Sequence, residues 1–179
     1  MLAAQHYWQI AWVVDDLDLA IKQWQETTRI GPFFKGDHVG GIFVDARYRG
    51  NPTEIDISCA IAQAGPVQIE LITQHDGAPS PYRDVYAEGL GGIHHVCTFV
   101  EDLDAECTHY QRNGFEVVLT SLVGGQTPVG YVDTRSMTGC MTELMVRGDL
   151  VSQINDTVAA AAADWDGTDP VRDMTSLLT

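Results

Sequence analysis

The chain has 179 residues, 45% hydrophobic and 20% charged, enough to bury one core shared by a single domain or by two small modules, and too apolar for a disordered segment. Its formal net charge of −15, from 25 acidic against 10 basic residues, argues against nucleic acid and anionic lipid as partners. Cys59, Cys97, Cys107 and Cys140 show no C-x-x-C spacing, and no apolar run reaches the roughly 18 residues of a membrane helix, so free thiols, a cytoplasmic setting and no membrane association are expected.

The first predicted strand alternates, with Trp8, Ile10, Trp12 and Val14 on one face and Tyr7, Gln9, Ala11 and Val13 on the other. The first face is the one expected against a helix. Asp15 and Asp16 offer acids to that helix's free N–H groups, Leu17, Ala20, Ile21 and Trp24 recur at helical spacing, and Gly31-Pro32 stops it. Phe33 and Phe34 follow in what reads as a loop, an apolar pair that needs cover from a substrate or a dimer contact. The β-prone runs 41–49, 54–63 and 67–73 complete the first half.

A linker at 76–90 carries Ser80-Pro81, a helix start. Beyond it the pattern repeats: residues 9–18 (QIAWVVDDLD) lie without gaps on residues 95–104 (HVCTFVEDLD), which sets Gln9 on His95. A second helix carries Leu103, Cys107 and Tyr110 and stops at Asn113-Gly114, and β-prone runs follow at 115–120, 130–134 and 141–147. The tail 148–179 contains the helix-favouring alanines 159–163, ended by Gly167 and Pro170, and is expected to be peripheral, packing on a partner subunit. The fold class predicted is α+β, with βαβββ modules at 5–75 and 91–147.

Alternation places His95, Cys97 and Phe99 on the open face of the second module's first strand, with His94 turned to the helix side as a hydrogen-bonded core histidine. On the last strands, Val67, Ile69 and Leu71 face the helix and leave Glu70 open, and Glu143 is open in the same way. Gln9, Glu70, His95 and Glu143 therefore project toward one face. Two carboxylates, an imidazole and an amide oxygen suit one divalent ion such as Zn²⁺, Ni²⁺, Mn²⁺, Fe²⁺ or Mg²⁺, and the lack of thiolates argues against a closed structural zinc site. His6, His38, His75 and His109 have no partner at ligand spacing and are expected at the surface or behind the site.

Over residues 5–147 the chain resembles the vicinal oxygen chelate superfamily, which includes glyoxalase I, bleomycin-resistance proteins and extradiol dioxygenases. The resemblance rests on residues 10–19, on Gly92-Ile-His-His-Val96 followed by 100–103, and on the strands at 68–71 and 142–144. It implies a cupped mixed sheet with helices outside, and metal ligands at Gln9, Glu70, His95 and Glu143. It also implies that Glu143 sits beside the substrate as catalytic base, with Glu70 as second choice. The expected reaction is isomerisation, epimerisation or elimination by proton abstraction next to a carbonyl. Tyr7, Ile72, Phe99, Met141 and Met145, with Phe33 and Phe34, are expected to line a pocket for a bulky, mostly hydrophobic small-molecule carbonyl substrate. A homodimer is expected. The alternative is a small-molecule sequestering protein of the bleomycin-resistance type, without turnover.

Overall fold

The computed structural model describes residues 4–178. Strand β1 (Tyr7–Val13) leads into helix α1 (Leu17–Thr28), where Asp16 accepts the Leu19 N–H at 2.9 Å. Strand β7 (Gly92–Val100) leads into α3 (Leu103–Arg112), where Asp102 accepts the Ala105 N–H at 3.0 Å. The two acids are equivalent in the repeat. Each satisfies a donor that the helix's first turn would otherwise leave free, which fixes the strand-to-helix corner in both halves.

The first half continues through β2 (Phe33–Gly36), a 3₁₀ turn (Val39–Ile42), the hairpin β3 (Phe43–Tyr48) and β4 (Asn51–Pro52), then β5 (Ile57–Ala64) and β6 (Val67–Gln74). Helix α2 (Pro81–Val85), capped by Ser80 at 3.1 Å from the Arg83 N–H, joins the halves. The second half adds β8 (Val117–Val123), β9 (Thr127–Val132), α4 (Arg135–Thr138) and β10 (Met141–Val146). After it come α5 (Asp149–Ala163), β11 (Val171–Asp173) and a last 3₁₀ turn (Met174–Leu178).

All the strands form one mixed sheet in the order β11-β2-β5-β6-β1-β7-β10-β9-β8-β3-β4. Its centre repeats itself: β2-β5-β6-β1 mirrors β8-β9-β10-β7, with β1 parallel to β6 and β7 parallel to β10. The halves meet where β1 runs antiparallel to β7, so the two modules pair within one chain. On the outer face α1 buries Leu17 and Ile21 against Phe33, Ala60, Ile69 and Leu71. There α3 likewise packs Leu103, Cys107 and Tyr110 against Val132 and Leu144.

Three expectations change. The second strand of the first module is β2, not the run 41–49: Phe33 and Phe34 are strand residues, 0% and 3% exposed. A four-residue strand buried on both faces shows no alternation, so it reads as a loop. The run 41–49 instead becomes the 3₁₀ turn and β3, which crosses to the far edge and pairs with β8. Third, the tail is not peripheral. Val158 of α5 is fully buried with Phe34, Ile61 and Leu177, and β11 extends the sheet beside β2. Among the described residues no helix is long and apolar enough to cross a membrane.

Candidate metal centre

Two bulges decide which side chains enter the cup. Along the β1–β7 pair, Ala11 opposes His95 and Trp12 opposes Ile93, which leaves His94 as an extra residue. A bulge breaks the two-residue alternation and re-aims its side chain. His94 therefore does not turn to the α3 side: it is fully buried beside His95, with Tyr82 of α2 and Tyr131 of β9 around it. The same irregularity between Tyr7 and Gln9 frees Trp8 from the helix-side face. Trp8 lines the cup and stacks on Phe99 at 4.6 Å.

The adjacent histidines set each other's protons. His94 Nε2 lies 3.0 Å from the Pro81 carbonyl oxygen, which can only accept, so His94 carries its proton there. Its Nδ1 is then an acceptor for His95 Nδ1–H at 2.8 Å, and His95 is left with Nε2 directed at Glu70 Oε2 (3.5 Å) and Glu143 Oε2 (3.4 Å). Burial and the neighbouring His95 charge hold His94 down at about 3, so it stays neutral. For His95 burial works against the charge, but the hydrogen bonds and attraction of Glu143 and Glu70 outweigh it and raise the imidazole to about 9. Burial raises Glu70, with His95 opposing, while His95, Cys97 and Tyr131 bring Glu143 below its usual range despite burial.

A second relay fixes Gln9. Gln9 opposes Gln68 across the parallel β1–β6 pair, and its Nε2 donates to Gln68 Oε1 at 2.8 Å. Gln68 Nε2 in turn donates to Asn155 Oδ1 of α5 at 3.0 Å. With the amide nitrogen occupied, Oε1 is the remaining polar group of Gln9, a side chain that lines the cup. Gln9 Oε1 is buried with no hydrogen-bond partner, and His95 Nε2, also buried, meets only the two carboxylates, at 3.4 and 3.5 Å.

Unpaired buried polar atoms cost free energy unless something outside the chain satisfies them. Here one such atom, Gln9 Oε1, belongs to a side chain lining the same cavity as Glu70 and Glu143, whose carboxylates flank His95 Nε2, and that donor set fits a divalent cation. Gln9, Glu70, His95 and Glu143 are the residues that would hold it. The adjoining cavity is about 130 Å³ and mostly apolar, with Gln9, Gln68, Glu70, Glu143 and Asn155 among its polar lining residues. Trp8, Ile42, Ile57, Met145, Val151 and Ile154 are among its walls, and no Lys or Arg lines it.

Of the side chains expected in the pocket, Met145 lines it. Phe33 belongs to the α1 core and Phe34 lies under α5, because both are held in β2. Ile72 and Met141 are buried in the packed floor with Ala11, Val13 and Tyr131. Phe99 stands behind Trp8 with the Arg147 guanidinium 4.2 Å from its ring, and Tyr7 is 45% exposed at the strand end. Sequence reasoning missed Trp8, Gln68, Tyr131, Asn155 and the wall residues of α5. Gln68 shares Glu70's parity, and Val151, Ile154 and Val158 recur at helical spacing, so a signal was present for those. His38 and His75, expected to be unpaired, also come together, outside the cup.

The glyoxalase/bleomycin resistance protein/dioxygenase superfamily matches residues 8–131. The chain belongs to that superfamily. None of the curated proteins matches it in sequence. Among solved structures it is similar to a methylmalonyl-CoA epimerase at TM-score 0.53 and 17% identity, covering 79% of this chain and 94% of that one. The methylmalonyl-CoA epimerase from Mycobacterium tuberculosis superposes at 0.52 with 19% identity, over 85% and 96% of the two chains. A hypothetical protein from Bacillus halodurans C-125 superposes at 0.59 with 14% identity, over 82% and 97%. At these identities the likeness concerns the fold.

Proposed function

We propose that this superfamily member is a metal-dependent isomerase or epimerase that moves a proton next to a carbonyl in a small, mostly apolar molecule. The observation that carries the reading is a partnerless buried Gln9 Oε1 in an apolar cavity that Glu70 and Glu143 also line, with His95 Nε2 3.4–3.5 Å from both carboxylates. A divalent ion bound there would act as a Lewis acid, polarising the substrate carbonyl and acidifying the neighbouring C–H.

The chain's own residues do the rest. Glu143 and Glu70 approach His95 from β10 and β6, so a substrate seated between them meets a carboxylate from each module. One carboxylate takes the proton from carbon as the electron pair shifts onto the carbonyl oxygen, and either carboxylate returns a proton to carbon. Glu143 is our first choice for the abstraction. Glu70, with 17% of its side chain exposed against 5% for Glu143, is the better placed to exchange protons with solvent.

The cavity is smaller than the roughly 300–1,000 Å³ of most ligand pockets. The reacting end of the substrate must therefore be compact, and any bulky hydrophobic portion lies outside the enclosed space. The test is exchange of the acidic C–H in D₂O across a panel of apolar carbonyl compounds that raise the thermal midpoint. Quartet-dependent exchange supports the enzyme. Ligand binding with no exchange and no stoichiometric metal at the quartet would instead support the sequestering protein.

A further inference from the structure

His38, Asp56 and His75 form a cluster that the proposed reaction does not use. Ser58 alternates along β5 with Ile57 and Cys59, which line the cup, so Ser58 and the groups bonded to it lie on the outer side of the sheet. A nitrogen from each imidazole and an oxygen of Asp56 all lie within 4.8 Å of one another. His38 Nδ1 is 2.9 and 3.1 Å from the two Asp56 oxygens, and the His38 and His75 rings stack with centroids 4.2 Å apart.

The three donors come from separate segments, and the backbone holds each of them. The His75 N–H donates to the Asp56 carbonyl at 3.0 Å. The buried Ser58 hydroxyl accepts the His38 N–H at 3.0 Å and meets His75 Nε2 at 2.7 Å. The 39–42 turn sits directly on the chain entering Asp56: a Cβ on Gly40 would fall 1.5 Å from the Ile55 carbonyl oxygen. A His38–Asp56 ion pair alone would use one imidazole and leave the other stacked against it. One shared cation uses all three donors.

We propose that His38, Asp56 and His75 form a second divalent-metal site, distinct from the quartet in the cup. Two imidazoles and one carboxylate select a borderline ion such as Zn²⁺ over Mg²⁺. Its effect reaches the cup, because Val39 and Ile42 of the same turn line the cavity. An ion here fastens that wall to β5 and β6.

The test is calorimetric titration of the full chain with Zn²⁺, and separately with Mg²⁺, in a His95→Ala background that disables the quartet. One Zn²⁺ should bind, and His38→Gln or His75→Gln should weaken it by roughly a hundredfold or more. Mg²⁺ should not compete. His38 is 65% exposed, so replacing it leaves the core intact, and Glu143→Ala provides the same background should His95→Ala not fold. The proposal is overturned if the quartet-disabled chain binds no Zn²⁺, or if the added His38→Gln and His75→Gln changes leave its affinity unaltered. The wild-type chain separates the two sites: it takes up two ions if the quartet also binds and one if only the outer cluster does.

Discussion

Replacing Asn155 by leucine removes the acceptor that ends the amide relay into the cup. Gln68 Nε2 then loses its 3.0 Å hydrogen bond in a buried setting, a cost of about 1–3 kcal/mol for an unsatisfied donor. The loss also frees Gln68 to turn over. Gln68 Oε1 would no longer be held 2.8 Å from Gln9 Nε2, and Gln9 could present its NH₂ group in place of Oε1. For an ion bound at the quartet, losing such an orienting partner costs roughly 10–100-fold in affinity. The assay is Co²⁺ titration followed by absorbance, with the outer cluster disabled by His38→Gln and His75→Gln in every chain compared, and with thermal unfolding alongside. Asn155→Asp keeps an acceptor for Gln68, so it should bind Co²⁺ at least as tightly as wild type, which a purely packing role for Asn155 would not require. Equal affinity for wild type and Asn155→Leu would refute the relay, whereas no Co²⁺ binding by wild type at the quartet would refute the metal site itself.

Glu143→Gln and Glu70→Gln keep an oxygen donor but remove basicity, so substrate C–H exchange in D₂O should fall roughly 10²–10⁴-fold for the variant that lacks the base, with metal content little changed. Near-normal exchange in both would eliminate the acid–base mechanism. Because no Lys or Arg lines the small cavity, glutathione adducts and CoA thioesters should be turned over poorly, and brisk turnover of either in a direct assay would contradict the pocket assignment. In chelated protein, His95 is raised from 6.5 to about 9 on folding. Its stabilising contribution is therefore fully present below about pH 6.5 and lost as pH rises through about 9. The thermal midpoint should fall across that window, and saturating divalent cation should flatten the fall. A midpoint that rises there would overturn the His95 charge assignment.

Much of the candidate site could be read from the repeat. The gap-free match of 9–18 with 95–104 put Gln9 and His95 on one face, and alternation in the last strands added Glu70 and Glu143. The structure brings these four side chains together. Alternation failed where the ladder is irregular: His94 and Trp8 are extra residues in the β1–β7 pair, and a bulge leaves no mark on hydrophobic periodicity. Phe33 and Phe34 were misread because a short strand covered by α1 on one face and α5 on the other has no polar side. The apolar stripe Val151, Ile154 and Val158 signals a buried helix face, but periodicity does not identify the surface it covers. Asn155 entered the relay unseen for that reason. The pairing of His38 with His75 depends on a left-handed turn residue and on two strand ends, none of it encoded in local spacing.

The most direct measurement is metal analysis of the His38→Gln, His75→Gln double variant purified without chelator, where only the cup can hold an ion. One stoichiometric divalent ion per chain is expected, and adding His95→Ala should remove it. A double variant without metal that takes up none when titrated, or one that keeps its ion after His95→Ala, would contradict the assignment of Gln9, Glu70, His95 and Glu143 as its ligands.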